Sequence, residues 1–326
     1  MKKIIFGIFL LLIFIACLLI FTNKKESDLK TIKVAEVTHS AFYAPWYVSL
    51  EKDYFKDEGL DIEVILTPGA DKVSAAVLSK DVQIGFCGAE SSVYVYNGGE
   101  KNYIQNFAGL TKRDGQFLVS RTKIDDFTIE DLKGKEILVG RKGGMPALNF
   151  ENALFNNNIK NNELNINYSI EFAALSGAFI GGTGDFVNLF EPNATKLEKE
   201  GYGYVVSSIG ELSGIFPYTA FNALKSYIND NEDIIKGFTN AINRGLEFVH
   251  NNNEETIAKT IIDQFPDTSL SDLITIVKRY KDADSWQKTT YIDETSFNNL
   301  LDLMKRSNLI DELAPYDKLV NNFKDE

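Results

Sequence analysis

From Ile32 onward the apolar positions switch repeatedly between a period of two residues and a period of three to four, the signature of strands interleaved with helices. Ile32 to Val37 reads as a strand and Tyr43 to Asp57 as a helix. Ile62, Val64 and Leu66 mark a second strand by strict alternation after a stop at Gly59. These segments make one βαβ unit. Asp71 to Ser79 carries Val73, Ala76 and Val77 at helical spacing and leads into a third strand with Val82, Ile84 and Phe86. A parallel sheet is the simplest arrangement for such a run.

A second series starts near Gln116. Strands over Phe117–Ser120 and Ile137–Gly140 flank a short helix at Thr128–Leu132, opened by a capping-box-like pair, Thr128 and Asp131. Pro146 suits the first turn of the next helix. Strands are expected at Tyr168–Phe172, Asp185–Leu189 and Tyr204–Ser208, with a helix over Asn193–Glu200. Beyond Pro217–Ala220 the pattern is almost wholly helical, and Ile234, Phe238, Ile242 and Leu246 recur every four residues. The expected fold class is therefore α/β, in two lobes. Residues 26–115 with 217–326 form the first and 116–216 the second, so the chain crosses near 115 and near 216. Two crossings make a hinge, and the cleft between lobes is a favoured ligand site.

Composition narrows the function. With 44% hydrophobic and 25% charged residues the 326-residue chain is globular rather than collagen-like, disulfide-dense or disordered. Its net charge of −12 repels phosphate backbones, which argues against nucleic acid as a partner. Two cysteines and two histidines assemble neither a disulfide framework nor a zinc cage. No phosphate loop, nucleophile elbow or metal-ligand spacing occurs, so no metal, cofactor or catalytic group is expected.

The N-terminal segment is export or anchoring sequence. Met1-Lys2-Lys3 precedes eighteen residues, Ile4 to Phe21, that carry no charge and, apart from the Cys17 thiol, no hydrogen-bonding side chain. Ile4 to Ala16 matches the core of a secretory signal peptide, and Phe14-Ile15-Ala16-Cys17 resembles a bacterial lipobox, whose cysteine is lipidated and becomes the new N-terminus. Phe14 stands where Leu is commonest, and Leu18 to Phe21 prolong the apolar run. An uncleaved anchor is thus an alternative, since eighteen helical residues span about 27 Å. Ordinary signal cleavage is the third. All three place residues 26–326 outside the cytoplasmic membrane, and the first two tether them to its outer face. Cleavage before Cys17 removes Lys2 and Lys3 and takes the net charge from −12 to −14.

Thr38-His39-Ser40-Ala41-Phe42-Tyr43-Ala44-Pro45-Trp46-Tyr47-Val48, then Lys52-Asp53-Tyr54-Phe55 and Glu58-Gly59-Leu60-Asp61, resembles the opening of ABC-transporter solute-binding proteins of the nitrate, sulfonate and taurine type, which are grouped with thiamine-pyrimidine-synthase-like domains. Asp81-Val82-Gln83-Ile84-Gly85-Phe86 resembles their D-x-x-I-G strand. Gly140-Arg141-Lys142-Gly143-Gly144-Met145-Pro146 and the stretch from Gly184-Asp185-Phe186 to Glu191-Pro192 fall where that family has its second-lobe loops. The resemblance runs from about residue 31 to 320. It implies a type II periplasmic-binding-protein fold, a small-molecule ligand closed between lobes, and a membrane permease with its ATPase as partners; the chain itself is expected to be a monomer.

The candidate site residues also have reasons of their own. Thr38–Ser40, Gly88–Ser92 and Arg141–Pro146 each follow a predicted strand and open a predicted helix, where free N–H groups face the carboxyl edge of the sheet. Phe42, Tyr43 and Trp46 offer a stacking wall for a flat ligand, the alternative being that they pack the first helix. Glu90, Asp185 and Glu191 suit a ligand with amine or amidine hydrogens. Lys112, Arg113, Arg141 and Lys142 either pair with these acids, bind an anion or stay exposed. The expected ligand contacts are His39, Phe42, Tyr43, Trp46, Glu90, Ser91, Gly144, Asp185 and Glu191. Gly144 admits close backbone approach, and Glu191 is held extended by Pro192. His250 is expected at a solvated helix end, and Cys87 as a small buried residue.

Binding for uptake is the leading function, with a flat nitrogen compound such as a thiamine-type pyrimidine as ligand and a sulfonate, taurine or nitrate as the alternative. An enzyme is the rival class: fungal thiamine-pyrimidine synthases share the fold and consume a pyridoxal cofactor with a histidine of their own, but their cysteine-rich motif is absent here. A ligand sensor is the third class.

Overall fold

The computed structural model describes residues 29–323. The apolar leader and Cys17 lie outside them, so lipidation, anchoring and cleavage rest on sequence alone. Among the described residues no helix is long and apolar enough to cross a membrane.

The first third of the chain lays down β1 (Lys30–Glu36), α1 (Ala44–Glu51), β2 (Leu60–Leu66), α2 (Ala70–Leu78), β3 (Ile84–Gly88), α3 (Glu90–Asn97) and β4 (Ile104–Thr111). The helix expected to reach Asp57 breaks at Lys52 and Asp53, where Asp53 takes a φ of 55°, and resumes for one turn. The next series is β5 (Gln116–Ser120), β6 (Glu136–Leu138), α4 (Met145–Asn156), β7 (Asn165–Asn167), β8 (Phe186–Phe190), α5 (Asn193–Lys199), β9 (Tyr204–Ser208) and α6 (Ile209–Ser213). Thr128 and Asp131 form the expected capping box, the Thr128 amide donating to Asp131 Oδ2 at 2.7 Å. The strand expected at Tyr168–Phe172 falls earlier, on β7. There the Asn167 side chain accepts the Ser169 amide and turns the chain away. β10 (Thr219–Leu224), α7 (Glu232–Asn251), α8 (Glu254–Ile261), α9 (Leu270–Asp282) and α10 (Glu294–Arg306) follow.

Two five-stranded sheets result, ordered β2-β1-β3-β10-β4 and β7-β6-β8-β5-β9. Neither is fully parallel. β10 runs antiparallel between β3 and β4, and β5 antiparallel to β8 and β9. The parallel sheet and the wholly helical C-terminal part expected from the sequence are corrected by β4 and β10. Every residue of both strands is buried, so neither shows the alternation that betrays a half-buried strand.

The core of the first sheet is aromatic. Phe86 and Phe221 stack at 4.1 Å between ring centres, with Trp46 and Phe238 against Phe221. Helix α7 lays Ile234, Phe238, Ile242 and Leu246 onto this layer, as their spacing predicts. It approaches α1 so closely that a Cβ on Gly245 would lie 2.2 Å from the Pro45 carbonyl oxygen and from Ser49 Oγ. Gly245→Ala should therefore force the two helices apart and cost about 1 to 3 kcal/mol as overpacking. An unchanged midpoint in urea denaturation would contradict that packing.

The chain passes between the sheets twice, at 112–115 and 214–218. The two segments run side by side: the Phe216 amide donates to the Lys112 carbonyl at 2.9 Å and the Tyr218 amide to that of Thr111 at 3.0 Å. A Cβ on Gly115 would come within 2.3 Å of the Phe42 ring, so the first crossing is pressed against that side chain.

Candidate functional site

A buried carboxylate needs a polar partner, or it keeps its proton. Two carboxyl groups between the sheets have incomplete partners. Glu90 opens α3 and folds back over Gly88, where a Cβ would lie 2.0 Å from Glu90 Oε2. Among the described residues that oxygen has no hydrogen-bond partner. Burial pushes the Glu90 carboxyl up to about 7, against the smaller opposing pull of its own amide, of the Met145 amide at the start of α4 and of the Arg141 charge. Asp114 lies on the first crossing. Its Oδ1 accepts the Gln116 amide at 2.7 Å, while Oδ2 has no partner among the described residues. Burial drives its carboxyl well above the usual range. The Tyr218 hydroxyl, from the second crossing, lies near enough to Asp114 to ease that rise but closes no hydrogen bond.

Rings from both sheets enclose these groups. Phe42 lies 5.3 Å from Tyr43, 5.4 Å from Phe190 on β8, 5.7 Å from Tyr218 and 5.3 Å from Tyr280. Tyr43 packs on Phe86 at 4.4 Å and keeps its hydroxyl beside Thr219. Gln116 donates to the Asn188 carbonyl at 3.3 Å, and among the described residues neither side-chain polar atom of Asn188 is paired. Flat faces and unpaired acceptors and donors thus come together where the two crossings meet the carboxyl ends of β3 and β8.

Of the residues expected from the sequence, Phe42, Tyr43 and Glu90 belong to this cluster. Trp46 does not, because Phe42 sits on a separate 3-10 turn (Ala41–Tyr43), so the two rings do not share a helical face. Trp46 is core: it packs on Phe55, Phe86, Phe221 and Phe238, and its Nε1 donates to Glu36 Oε1 at 3.1 Å. His39 also serves Glu36, with Nδ1 3.2 Å from Oε2 and 3.0 Å from the Tyr47 hydroxyl, and Nε2 2.8 Å from the Gln264 carbonyl. The hydrogen bond to Glu36 raises its pKa despite burial. The Ser91 hydroxyl donates to the Gly88 carbonyl at 2.8 Å.

Asp185 is at the wrong end of its strand. It is exposed, precedes β8 and accepts the Glu136 amide at 2.9 Å, about 20 Å of extended chain from Glu191. Gly144 has a φ of −83° and nothing within 3.4 Å of a would-be Cβ. The neighbouring Gly143, at φ 84°, is the position that requires glycine, and its carbonyl accepts the Tyr94 hydroxyl at 2.7 Å. Glu191 is buried but satisfied: Arg279 meets Oε1 at 2.6 Å, and the Thr195 amide and hydroxyl meet Oε2 and Oε1 at 2.8 and 2.9 Å.

Asp114, Tyr218, Thr219, Asn188 and Phe190 were not anticipated. The available signal was the crossing itself, which must line the floor of any cleft it spans.

Contacts at both rims enclose the cluster. On one side Arg279 bridges Glu191 and Glu198, the Tyr280 hydroxyl accepts the Glu191 amide at 3.0 Å, Ser40 donates to the Glu191 carbonyl at 2.7 Å, and Lys199 pairs with Asp272. On the other, Arg141 meets Asp71 at 3.2 Å, and Arg306 donates to Asn152 and covers the Phe155 ring at 3.8 Å.

This arrangement has relatives. The sequence profile described as NMT1/THI5 like matches residues 40–256, the greater part of the chain. The chain belongs to the NMT1/THI5-like family. A Bacillus subtilis (strain 168) protein named "Putative binding protein YtlA" is 41% identical to this NMT1/THI5-like chain over 316 residues, 97% of this chain and 93% of that protein. Among solved structures, the alkanesulfonate-binding protein SsuA from Xanthomonas axonopodis pv. citri, bound to MOPS, superposes with a TM-score of 0.70 at 13% identity, over 90% of this chain and 98% of that one. The periplasmic aliphatic sulphonate binding protein SsuA from Escherichia coli gives 0.68 at 14% identity, over 89% and 96%. At such identities the likeness is one of fold. It is the periplasmic-binding-protein fold, built here on two five-stranded sheets.

Proposed function

We propose that this chain is the extracytoplasmic solute-binding component of an ABC importer, tethered through its N-terminal segment, which closes two lobes around a small molecule and presents it to a permease with an ATPase. The lobes are residues 26–115 with 217–326 and residues 116–216, hinged at the paired crossings. One observation carries the reading: buried polar groups that are unpaired among the described residues lie inside an aromatic enclosure at the junction of both sheets. Desolvating them without a ligand is costly, whereas a bound molecule with matching groups removes that cost. Membership of the NMT1/THI5-like family and the binding-protein relative point the same way.

The ligand is a flat nitrogen compound that donates N–H groups, of which a thiamine-type pyrimidine is one example. A sulfonate or nitrate is the second reading, favoured by the α4 amino end and by the sulfonate-binding proteins of the same fold. The acids oppose it, and Arg141, the cation that acts on Glu90, is half-exposed and paired with Asp71. A thermal-shift screen of residues 26–326 tests the choice, because a ligand at 100 times its Kd adds about 2.7 kcal/mol of stability. Amines, amidines or aminopyrimidines should raise Tm without being consumed, and small-angle scattering with the hit should show compaction. A response to sulfonates alone would select the second reading, and identical scattering profiles would contradict closure.

A further inference from the structure

We propose that Asp114 is a second ligand carboxylate, which acts with Glu90 so that the site selects a flat molecule bearing cationic or N–H donor groups at two points. The inference rests on the solute-binding reading and adds a recognition element to it.

Asp114 is only 1% exposed, and its two oxygens have different duties. Oδ1 holds the turn into β5 through the Gln116 amide, whereas Oδ2 is buried and unpaired among the described residues, on a carboxyl that lies beside Tyr218. A turn cap needs one acceptor and no charge, and asparagine supplies it as well. The second oxygen is therefore free for recognition. Its surroundings are the Tyr218 hydroxyl, itself unpaired, the unpaired side chain of Asn188 reached through Gln116, and Tyr43 and Glu90, both of which act on Tyr218. Two cations lie near the cluster: Arg141, which acts on Glu90 and is paired with Asp71, and Arg113, next to Asp114 in the chain, whose Nη1 donates to the Gly210 carbonyl at 3.3 Å while its Nε is unpaired among the described residues. Glu90 sits at the amino end of α3 and Asp114 on the crossing between β4 and β5, so the two acids enter from different elements. A ligand with one donor group satisfies one of them and leaves the other desolvated. A ligand with two satisfies both, which a buried site rewards strongly.

Benzamidine, flat and cationic at one end, and its 3- and 4-aminomethyl derivatives, cationic at two, are the probes. With the parent protein at least one derivative should bind about 30-fold or more tightly than benzamidine. At pH 6 it should release more protons on binding, read by calorimetry in two buffers. Asp114→Asn keeps the turn acceptor, so Tm should hold or rise while the advantage of the second cation disappears. The proton count on the parent protein decides the matter even where that variant does not fold. Equal affinity and equal proton release for one- and two-ended probes, or an advantage that survives Asp114→Asn, would overturn the role of Asp114. Benzenesulfonate binding that Asp114→Asn leaves unchanged would overturn it while leaving the solute-binding reading intact.

Discussion

Glu90→Gln should make the protein more stable at pH 8 and a poorer binder at the same time. The folded carboxyl titrates near 7 and the unfolded one near its ordinary 4.5. Between those values the unfolded chain ionises first, so folding stability falls as pH rises through the window, and the full cost is present above 7. That cost is about 3 kcal/mol. Glutamine is uncharged at every pH, so parent and variant should match near pH 4 and diverge by pH 8 in favour of the variant. His39 also loses its contribution as pH rises, since its pKa is raised by Glu36, but it does so equally in both proteins and cancels from the difference. Binding of a cationic ligand should weaken at least about 30-fold, because the group that neutralises it is gone. Urea denaturation across pH reads the first effect and calorimetry the second. Equal stabilities at pH 8 would mean that Glu90 is not held desolvated.

Arg279→Met should be the most damaging change at the rim. Glu191 has no exposed side-chain surface, and among the described residues Arg279 supplies its only cation while also reaching Glu198 at 2.8 Å. Removing that guanidinium strands a buried carboxylate with Thr195 alone, which costs about 3 to 5 kcal/mol. Arg279→Lys should recover little, since a single ammonium does not reproduce the fork that bridges two carboxylates. Adding Glu191→Gln to Arg279→Met should restore much of the loss. A single Arg279→Met variant within 0.5 kcal/mol of the parent, an order-of-magnitude threshold for a neutral surface change, would show that the pair contributes nothing.

The legible parts of this chain were those whose periodicity survives burial. β1 and the four-residue stripe of α7 keep one buried and one different face, whereas β3 and β8 are covered on both faces but are bounded by turn residues, and all four were placed within a few positions. β4 and β10 were missed because both faces are covered and their residue types mark no strand. Their sequences, Ile104–Thr111 and Thr219–Leu224, mix Gln, Asn, Gly and Ala with large residues and follow no period. The expectation of three ligand loops after strands includes Glu90, which lies in the buried cluster. Trp46 was misplaced because a break at the Ala41–Tyr43 turn rotates Phe42 off its face, which no spacing rule detects. Asp185 was misplaced because a strand has two ends, and only the carboxyl end of β8 reaches the other sheet. Asp114 and Tyr218 carry no motif. Their position depends on the pairing of two segments about 100 residues apart, joined by amide-to-carbonyl bonds such as Tyr218 to Thr111.

Acids buried between two closing lobes should hold a nitrogenous cation, and titrating residues 26–326 with benzamidine and with benzenesulfonate, the same ring with opposite charge, at pH 6 and at pH 8 distinguishes this from anion binding. Benzamidine should bind, and about tenfold more tightly at pH 8, as the Glu90 carboxyl ionises through about 7. Benzenesulfonate should not bind at either pH. Binding of the sulfonate, stronger at pH 6 than at pH 8, with benzamidine silent, would contradict the account.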